Sequence, residues 1–127
     1  VAWVPGKVGQ AVKFEADGVL KLGDVGRFER TQPFSYGAWV KTNGKVSGAA
    51  IARMDDANQL RGYDLYIAGT KIAMHLIHHW EARNAIKVTT KQDVLLPDRW
   101  HHVFVTYDGS RKAEGVKPAC FLKNRLK

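Results

Sequence analysis

The sequence contains a single cysteine, Cys120, among its 127 residues. One thiol cannot form an intrachain disulfide, and it cannot supply the thiol cluster of a structural zinc site. The chain also lacks a low-complexity stretch and an apolar run long enough to cross a bilayer. These absences exclude a disulfide-stabilised scaffold, a membrane-spanning segment and a disordered tail, and they favour an ordinary globular domain.

Acidic residues are scarce, with 12 Asp and Glu against 20 Lys and Arg, which gives a formal net charge of +8. The segment after Glu114 supplies half of this charge, because it carries four basic residues and no acid. These are Lys117, Lys123, Arg125 and Lys127. The remaining surface is mixed in sign, which predicts a solvated surface with a basic tail rather than a nucleic-acid groove. We therefore expect no nucleic-acid partner.

The sequence begins at Val1 without a methionine, and it shows no basic region followed by an apolar region, the pattern of a signal peptide. We therefore expect it to be a piece of a longer protein, whose export signal would lie outside it. Its length predicts one domain over residues 1–127, since single cores usually fall in this size range.

No window of the sequence sustains the spacing of an amphipathic helix, whereas alternation of apolar and polar residues is common. This alternation predicts nine short strands, at residues 10–14, 18–22, 34–42, 48–53, 63–68, 71–79, 85–90, 100–107 and 116–122. Turn sequences such as Asn43-Gly44 and Asp108-Gly109 separate them, with glycine supplying positive φ. The predicted class is all-β, as a sandwich or barrel.

Two of these strands carry the best candidates for core positions. Period-two alternation places Tyr36, Ala38 and Val40 on one strand face, and Val103 and Val105 on one face of a later strand. We expect these five side chains to lie between two packed antiparallel sheets, with little helix in the structure.

Three motifs cover most of the chain in order: GKVGQAVKF at 6–14, PFSYGAWVK at 33–41 and RWHHVFVTYDGS at 99–110. Together they resemble the LamG-like (laminin G-like, pentraxin-like) branch of the concanavalin A-like lectin/glucanase superfamily. The wider set resembles modules of large secreted bacterial proteins, particularly of planctomycete type. The resemblance implies a jelly-roll sandwich of two antiparallel sheets, a binding role, and an extracellular or periplasmic location.

The C-terminal end departs from this resemblance. The family continues with a strand similar to Leu-Tyr-Val-Asp-Gly, whereas this chain reads VKPACFLKNRLK, in which Pro118 removes a donor from the strand ladder. We expect the last ~10 residues to be divergent or truncated, which would leave strand edges open. Open edges recruit other strands, so the sequence predicts a homo-oligomer.

Glycanases that this chain resembles share a Glu-x-Asp-x-x-Glu strand motif, which points its carboxylates into one cleft. Glu15-Ala16-Asp17 begins this motif, but Leu20 stands where the second glutamate belongs. The chain contains only four glutamates, at Glu15, Glu29, Glu81 and Glu114. We therefore expect no catalysis. A glycoside hydrolase of this type and a protein-interaction or structural module are the alternatives.

The leading hypothesis is a lectin-like, carbohydrate-binding module, in which aromatic rings stack on sugar faces and polar side chains bond to hydroxyls. The candidate ligand-binding residues are Arg53, Tyr63, Asp64, His75, His78 and Trp80. On a strand, His75 and His79 would stand roughly 13 Å apart, too far to share one zinc ion. The alternative is that these histidines are half-buried on a sheet face and bonded to their neighbours.

A short acidic segment offers hard oxygen ligands. Asp55, Asp56 and Asn58, with Asp64 nearby in sequence, are candidate calcium ligands, since calcium prefers carboxylate and carbonyl oxygens. The spacing does not match an EF-hand, because a closing glutamate is absent. An ordinary turn rich in Asp and Asn is the alternative.

Overall fold

The computed structural model describes residues 1–80, 84–122 and 125–126. Within these ranges the chain forms antiparallel strands and two 3₁₀ turns, at Asp56–Asn58 and Ala113–Gly115, and no α-helix. The strands are β1 (Ala2–Pro5), β2 (Gln10–Lys13), β3 (Phe34–Lys41), β4 (Ser47–Asp55), β5 (Arg61–Ala68), β6 (Lys71–Ile77), β7 (Ala85–Thr89), β8 (Trp100–Tyr107), β9 (Val116–Leu122) and β10 (Arg125–Leu126). The predicted all-β class is confirmed.

The strands form two four-stranded sheets and one separate hairpin. The first sheet has the order β10-β9-β8-β3, and the second sheet has the order β4-β5-β6-β7. Strands β1 and β2 pair only with each other among the described residues. The sandwich of two antiparallel sheets is the predicted architecture, whereas the sequence analysis did not identify the β1–β2 hairpin.

One hydrophobic core fills the space between the two sheets. Val103 and Val105 on β8 face Leu65 on β5 and Met74 on β6, and the side chains of all four are fully buried. Burying each such side chain stabilises the fold by about 1.5–3 kcal/mol. The direct pairings Leu65 with Met74 and Ala38 with Val103 keep the apolar face of each sheet in register.

The five predicted core residues are buried to different extents. Val103 and Val105 are completely buried, because β8 lies between β9 and β3. Tyr36 and Val40 are only half-buried, although they pack against the core, and Ala38 is also half-buried. Strand β3 ends the first sheet in the described part of the chain, so solvent reaches its side chains from the open edge.

The strand predicted at residues 18–22 does not form. The chain turns there, with Ala16 at a φ of 45° and the backbone N–H of Gly18 donating to the Glu15 carbonyl oxygen. Val19 remains 72% exposed. Apolar alternation favours a strand, but a strand also needs a neighbour to pair with, and no described strand lies beside this segment.

The C-terminal end is described only in part, because Lys123, Asn124 and Lys127 lie outside the described residues. Pro118 lies in β9 opposite Val105 on β8, and β10 pairs only with Phe121 and Leu122 at the far end of β9. In the described ranges no helix has the length and apolar character needed to cross a membrane.

Candidate functional site

Three neighbouring strands of the second sheet bring polar side chains side by side on its outer face. Asp64 on β5 pairs directly with His75 on β6, which in turn pairs with Lys87 on β7. Tyr66 lies two residues after Asp64, so alternation places it on the same face. Trp80 approaches this face from the segment after β6. We call Tyr66, His75 and Trp80 the aromatic platform.

A buried carboxylate fixes the imidazole at the centre of the platform. Asp64 is only 3% exposed, and its Oδ1 and Oδ2 lie 2.9 Å and 3.0 Å from Nδ1 of His75. The backbone N–H of His75 also donates to Oδ1 of Asp64, at 3.0 Å. An ionised carboxylate only accepts, so Nδ1 of His75 carries the proton and Nε2 is the acceptor in the neutral ring. The contacts with Asp64 on the neighbouring strand therefore fix the orientation of the His75 ring.

Trp80 stands at the end of the platform, and 44% of the residue is exposed. Its ring centroid lies 5.5 Å from that of His75 in an edge-to-face arrangement, and Tyr66 contacts His75 similarly at 5.7 Å. The ammonium of Lys87 lies 3.6 Å from the Trp80 ring centroid and donates to the Trp80 carbonyl oxygen at 3.4 Å. Cation–π contact and ring packing thus restrict the indole.

This arrangement combines a partly exposed aromatic ring with a polar group held in one orientation. An aromatic ring of this kind presents a flat apolar surface, and the oriented imidazole offers a hydrogen bond beside it. Apolar C–H faces flanked by hydroxyls, as in sugars, match both features. The arrangement can therefore offer a stacking surface and a hydrogen bond side by side.

Three of the predicted ligand-binding residues, Arg53, Tyr63 and His78, lie away from the platform. Tyr63 is 6% exposed in the core, where its hydroxyl donates to the Gly26 carbonyl oxygen and burial raises the pKa of the phenol. Arg53 contacts Asp24 at 2.8 Å and donates to the Val25 carbonyl oxygen at 3.2 Å. Both side chains hold the loop that precedes β3 against the second sheet. The structure brings together Asp64, His75 and Trp80 from the predicted set.

His78 borders a surface cavity of about 240 Å³ at one end of the second sheet, lined by Ala57, Asn58, Gln59, Arg61, His78 and His79. The ring centroids of His78 and His79 are 4.5 Å apart. Partial desolvation and the neighbouring charges of His79, Arg61 and Arg30 lower the pKa of His78. His79, although followed directly by Trp80, belongs to this cavity rather than to the platform.

The predicted calcium ligands lie in and before a 3₁₀ turn. Asp55 precedes the turn, where its Oδ1 accepts the backbone N–H of Ala57 at 3.1 Å and its Oδ2 accepts Nδ2 of Asn58 at 2.6 Å. Asp56 is exposed, and Asp64 is bonded to His75. The described residues contain no group of three or more His, Cys, Asp or Glu arranged to hold a metal ion. Calcium binding at this turn stays a prediction.

Sequence reasoning missed Tyr66 on the platform and Lys87 beside it, and it missed Gln59 and Arg61 in the cavity. Tyr66 could have been found from Asp64, because the two residues share a face of a strand. Lys87 could not have been found in this way, because its position beside His75 depends on the register between β6 and β7.

The laminin G-like model of the concanavalin A-like lectin/glucanases superfamily matches residues 14–115. The chain belongs to this superfamily. The matched residues include both sheets of the sandwich up to the start of β9, and the whole platform. No curated protein and no solved structure matches the chain. The superfamily is named for lectins and glucanases alike, so membership establishes the fold and leaves binding and catalysis as alternatives.

Proposed function

We propose that this domain is a non-catalytic carbohydrate-binding module and that the aromatic platform is its binding surface. One observation supports this function above all. The half-exposed ring of Trp80 stands beside His75, whose orientation is fixed by the buried carboxylate of Asp64. A stacking surface next to an oriented hydrogen-bonding group matches the alternation of apolar faces and hydroxyls on a sugar ring.

Preorganisation favours binding at this surface. Ordering a flexible side chain on binding costs about 0.5–1.5 kcal/mol, and His75 and Trp80 are already restricted by their neighbours. His75 leaves 15% of its side chain exposed to solvent, so a ligand can reach it while the rest of the side chain stays packed. The ligand then meets a surface that needs little rearrangement.

The chemistry around Glu15 supports binding rather than glycoside hydrolysis. Glu15 is exposed and pairs with the Lys13 ammonium at 3.0 Å, and this contact lowers the pKa of its carboxyl. A general acid in a retaining glycosidase needs a raised pKa. We expect no turnover of β-glucans, xylan and related polymers above buffer. Turnover that disappears in Glu15→Gln would contradict this proposal.

A glycan-array screen, with and without calcium, tests the binding function and also the predicted calcium site. We expect binding to one group of glycans, lost in Trp80→Ala and kept in the matched variant Trp3→Ala, since Trp3 is exposed on the separate hairpin. Thermal melting establishes that both variants fold. If the protein bound no glycan on the array, or if the two variants bound equally well, the platform would not be the binding surface. If glycan binding required calcium, and if Asp55→Ala and Asp56→Ala abolished this requirement, the calcium site would be established.

A second candidate, protein interaction through self-association, has a specific observation in its favour. The segment before β3 exposes many large apolar side chains: Val1, Trp3, Val8, Phe14, Val19, Leu20, Leu22, Val25 and Phe28. Exposed apolar patches of this kind mark interaction surfaces. In the described part of the chain β3 also has no strand on its outer side, so its edge can pair with another copy.

Light scattering at micromolar concentration tests this assembly. We expect a dimer or higher homo-oligomer with an interface above about 1,000 Å² in total. The double variant Val19→Ser, Leu22→Ser should shift the distribution towards monomer, whereas Val46→Ser, which removes an exposed apolar side chain elsewhere, should not. A wild-type monomer at every concentration would contradict the proposal.

A further inference from the structure

The cavity at the end of the second sheet is lined by basic and amide side chains. Arg61, His78 and His79 provide the basic groups, and Asn58 and Gln59 provide amides. The guanidinium of Arg30 lies near enough to influence His78 as well. Among the residues that the structure describes, which leave out 81–83, no acidic side chain lines the cavity, so this part of the lining favours an anionic group.

The two acids that directly precede the cavity residues in the sequence do not neutralise this lining. Asp55 and Asp56 precede the cavity residues but do not line it. Both oxygens of Asp55 accept hydrogen bonds within the turn, from Ala57 and Asn58. The Asp55 carboxylate is therefore engaged within its own turn, by the Ala57 backbone and the Asn58 side chain, and it does not line the cavity.

His79 supplies a second, independent observation. Its Nδ1 is buried and has no hydrogen-bond partner among the described residues. Buried polar atoms in native proteins nearly always have a partner, in the protein, in water or in a ligand. Because His79 lines the cavity, this atom belongs to a side chain that a bound ligand would contact.

The backbone next to the cavity is held in an uncommon conformation. Gln59 and Leu60 have φ values of 56° and 61°, in the left-handed region that residues other than glycine seldom adopt. This conformation reverses the chain after the 3₁₀ turn and places Gln59 and Arg61 on the same cavity wall. Such conformations concentrate where a binding site requires them.

The size and position of the cavity identify what it would hold. Its volume of about 240 Å³ lies below the range of roughly 300–1,000 Å³ typical of sites for whole drug-sized ligands, so it fits one substituent or one sugar unit. His79 lines the cavity and the next residue, Trp80, belongs to the platform. A sugar stacked on Trp80 can therefore direct a substituent towards Arg61.

We propose that this cavity binds the anionic group, carboxylate or sulfate, of an acidic saccharide whose neighbouring sugar rests on the platform. The second half of this statement rests on the proposed carbohydrate-binding function. The first half depends only on the cavity itself. Arg61 would bond the anion through its planar guanidinium, and His78, His79 and the amides would complete the set of donors.

Isothermal titration calorimetry with a short oligogalacturonate tests the proposal. Its methyl ester, which is neutral and nearly the same in shape, is the matched ligand, and a sulfated heparin oligosaccharide is the third ligand. We expect the acid to bind at least tenfold more tightly than the ester, with an affinity that falls as salt rises. Tighter binding of the heparin oligosaccharide that also depends on Arg61 would identify sulfate as the preferred anion.

The variant Arg61→Gln should lose this preference for the acid, whereas Arg99→Gln, which removes an exposed arginine elsewhere, should keep it. Equal affinity for acid and ester, or an unchanged preference in Arg61→Gln, would overturn the anion site.

Trp80→Ala separates the two proposals. If Trp80→Ala weakens binding of the acid and the ester alike while Arg61→Gln changes neither affinity, the platform is supported and the anion site is refuted. If only Arg61→Gln has an effect, the anion site stands and the platform fails.

Discussion

The outer faces of the two sheets carry similar residues but organise them differently. On the first sheet, Trp39 lies 5.2 Å from His102 between ring centroids, with the Lys7 ammonium 5.9 Å from the indole. On the second sheet, His75 is fixed by the buried Asp64 and Trp80 is held at 3.6 Å by Lys87. Among the residues whose burial the structure describes, Asp64 on the second sheet is the one buried acid, and Trp39 on the first sheet is half-buried. The same three residue types, an aromatic residue, a histidine and a lysine, thus occur on both faces, and on the second face a buried acid contacts the imidazole.

The largest expected effect concerns that acid. Asp64→Ala removes a buried carboxylate that accepts both the ring and the backbone N–H of His75, so unpaired donors remain. We expect the free energy of unfolding to fall by about 2–4 kcal/mol. Urea denaturation measures this change, and Asp17→Ala, at an exposed site, should stay within about 0.5 kcal/mol of the wild type. A loss below about 1 kcal/mol would show that Asp64 does not hold the platform.

The next effect concerns ligand affinity and compares one tryptophan on each face. Trp80→Ala should weaken binding of the best array glycan by about tenfold or more, because the stacking surface is lost. Trp39→Ala should leave the affinity unchanged, since the ring lies on the outer face of the other sheet. Titration calorimetry measures both. If Trp39→Ala gave the larger loss, the binding surface would be assigned to the first sheet instead.

A smaller effect is expected for the two lysines that lie over these rings. Lys87→Ala removes a cation–π contact worth about 0.5–1 kcal/mol, so the Trp80 ring loses part of its preorganisation and the affinity should fall by at most about two- to fivefold. Lys7→Ala removes the longer contact with Trp39 and should not change the affinity. The same titrations measure both variants. Unchanged binding by Lys87→Ala would mean that the orientation of Trp80 does not depend on this lysine.

The sequence predicted the parts of the fold that depend on local alternation. The bounds predicted for β8 match the observed strand, and the face that carries Val103 and Val105 is buried as expected. The alternation at residues 18–22 predicted a strand that does not form, because a strand there depends on a pairing partner that the local sequence does not reveal. The failure has the same physical origin as the missed hairpin, since both depend on which strands become neighbours.

The candidate site was predictable only in part for a related reason. Asp64, His75 and Trp80 were chosen for their chemistry, and they do lie together. Arg53 and Tyr63 were chosen for the same chemistry, but both point towards the loop before β3. Residue type suggests which groups can bind a sugar, whereas strand register and burial decide which of them share a surface.

The most direct test of the central claim is a map of where the ligand binds. Backbone amide chemical shifts, recorded by NMR during titration with the best array glycan, report the contacted surface without any mutation. The account predicts that the largest shifts fall on Tyr66, His75, Trp80 and Lys87 and decrease across the second sheet. Shifts confined to Trp39, His102 and Phe104 on the first sheet, or to the β1–β2 hairpin, would contradict it.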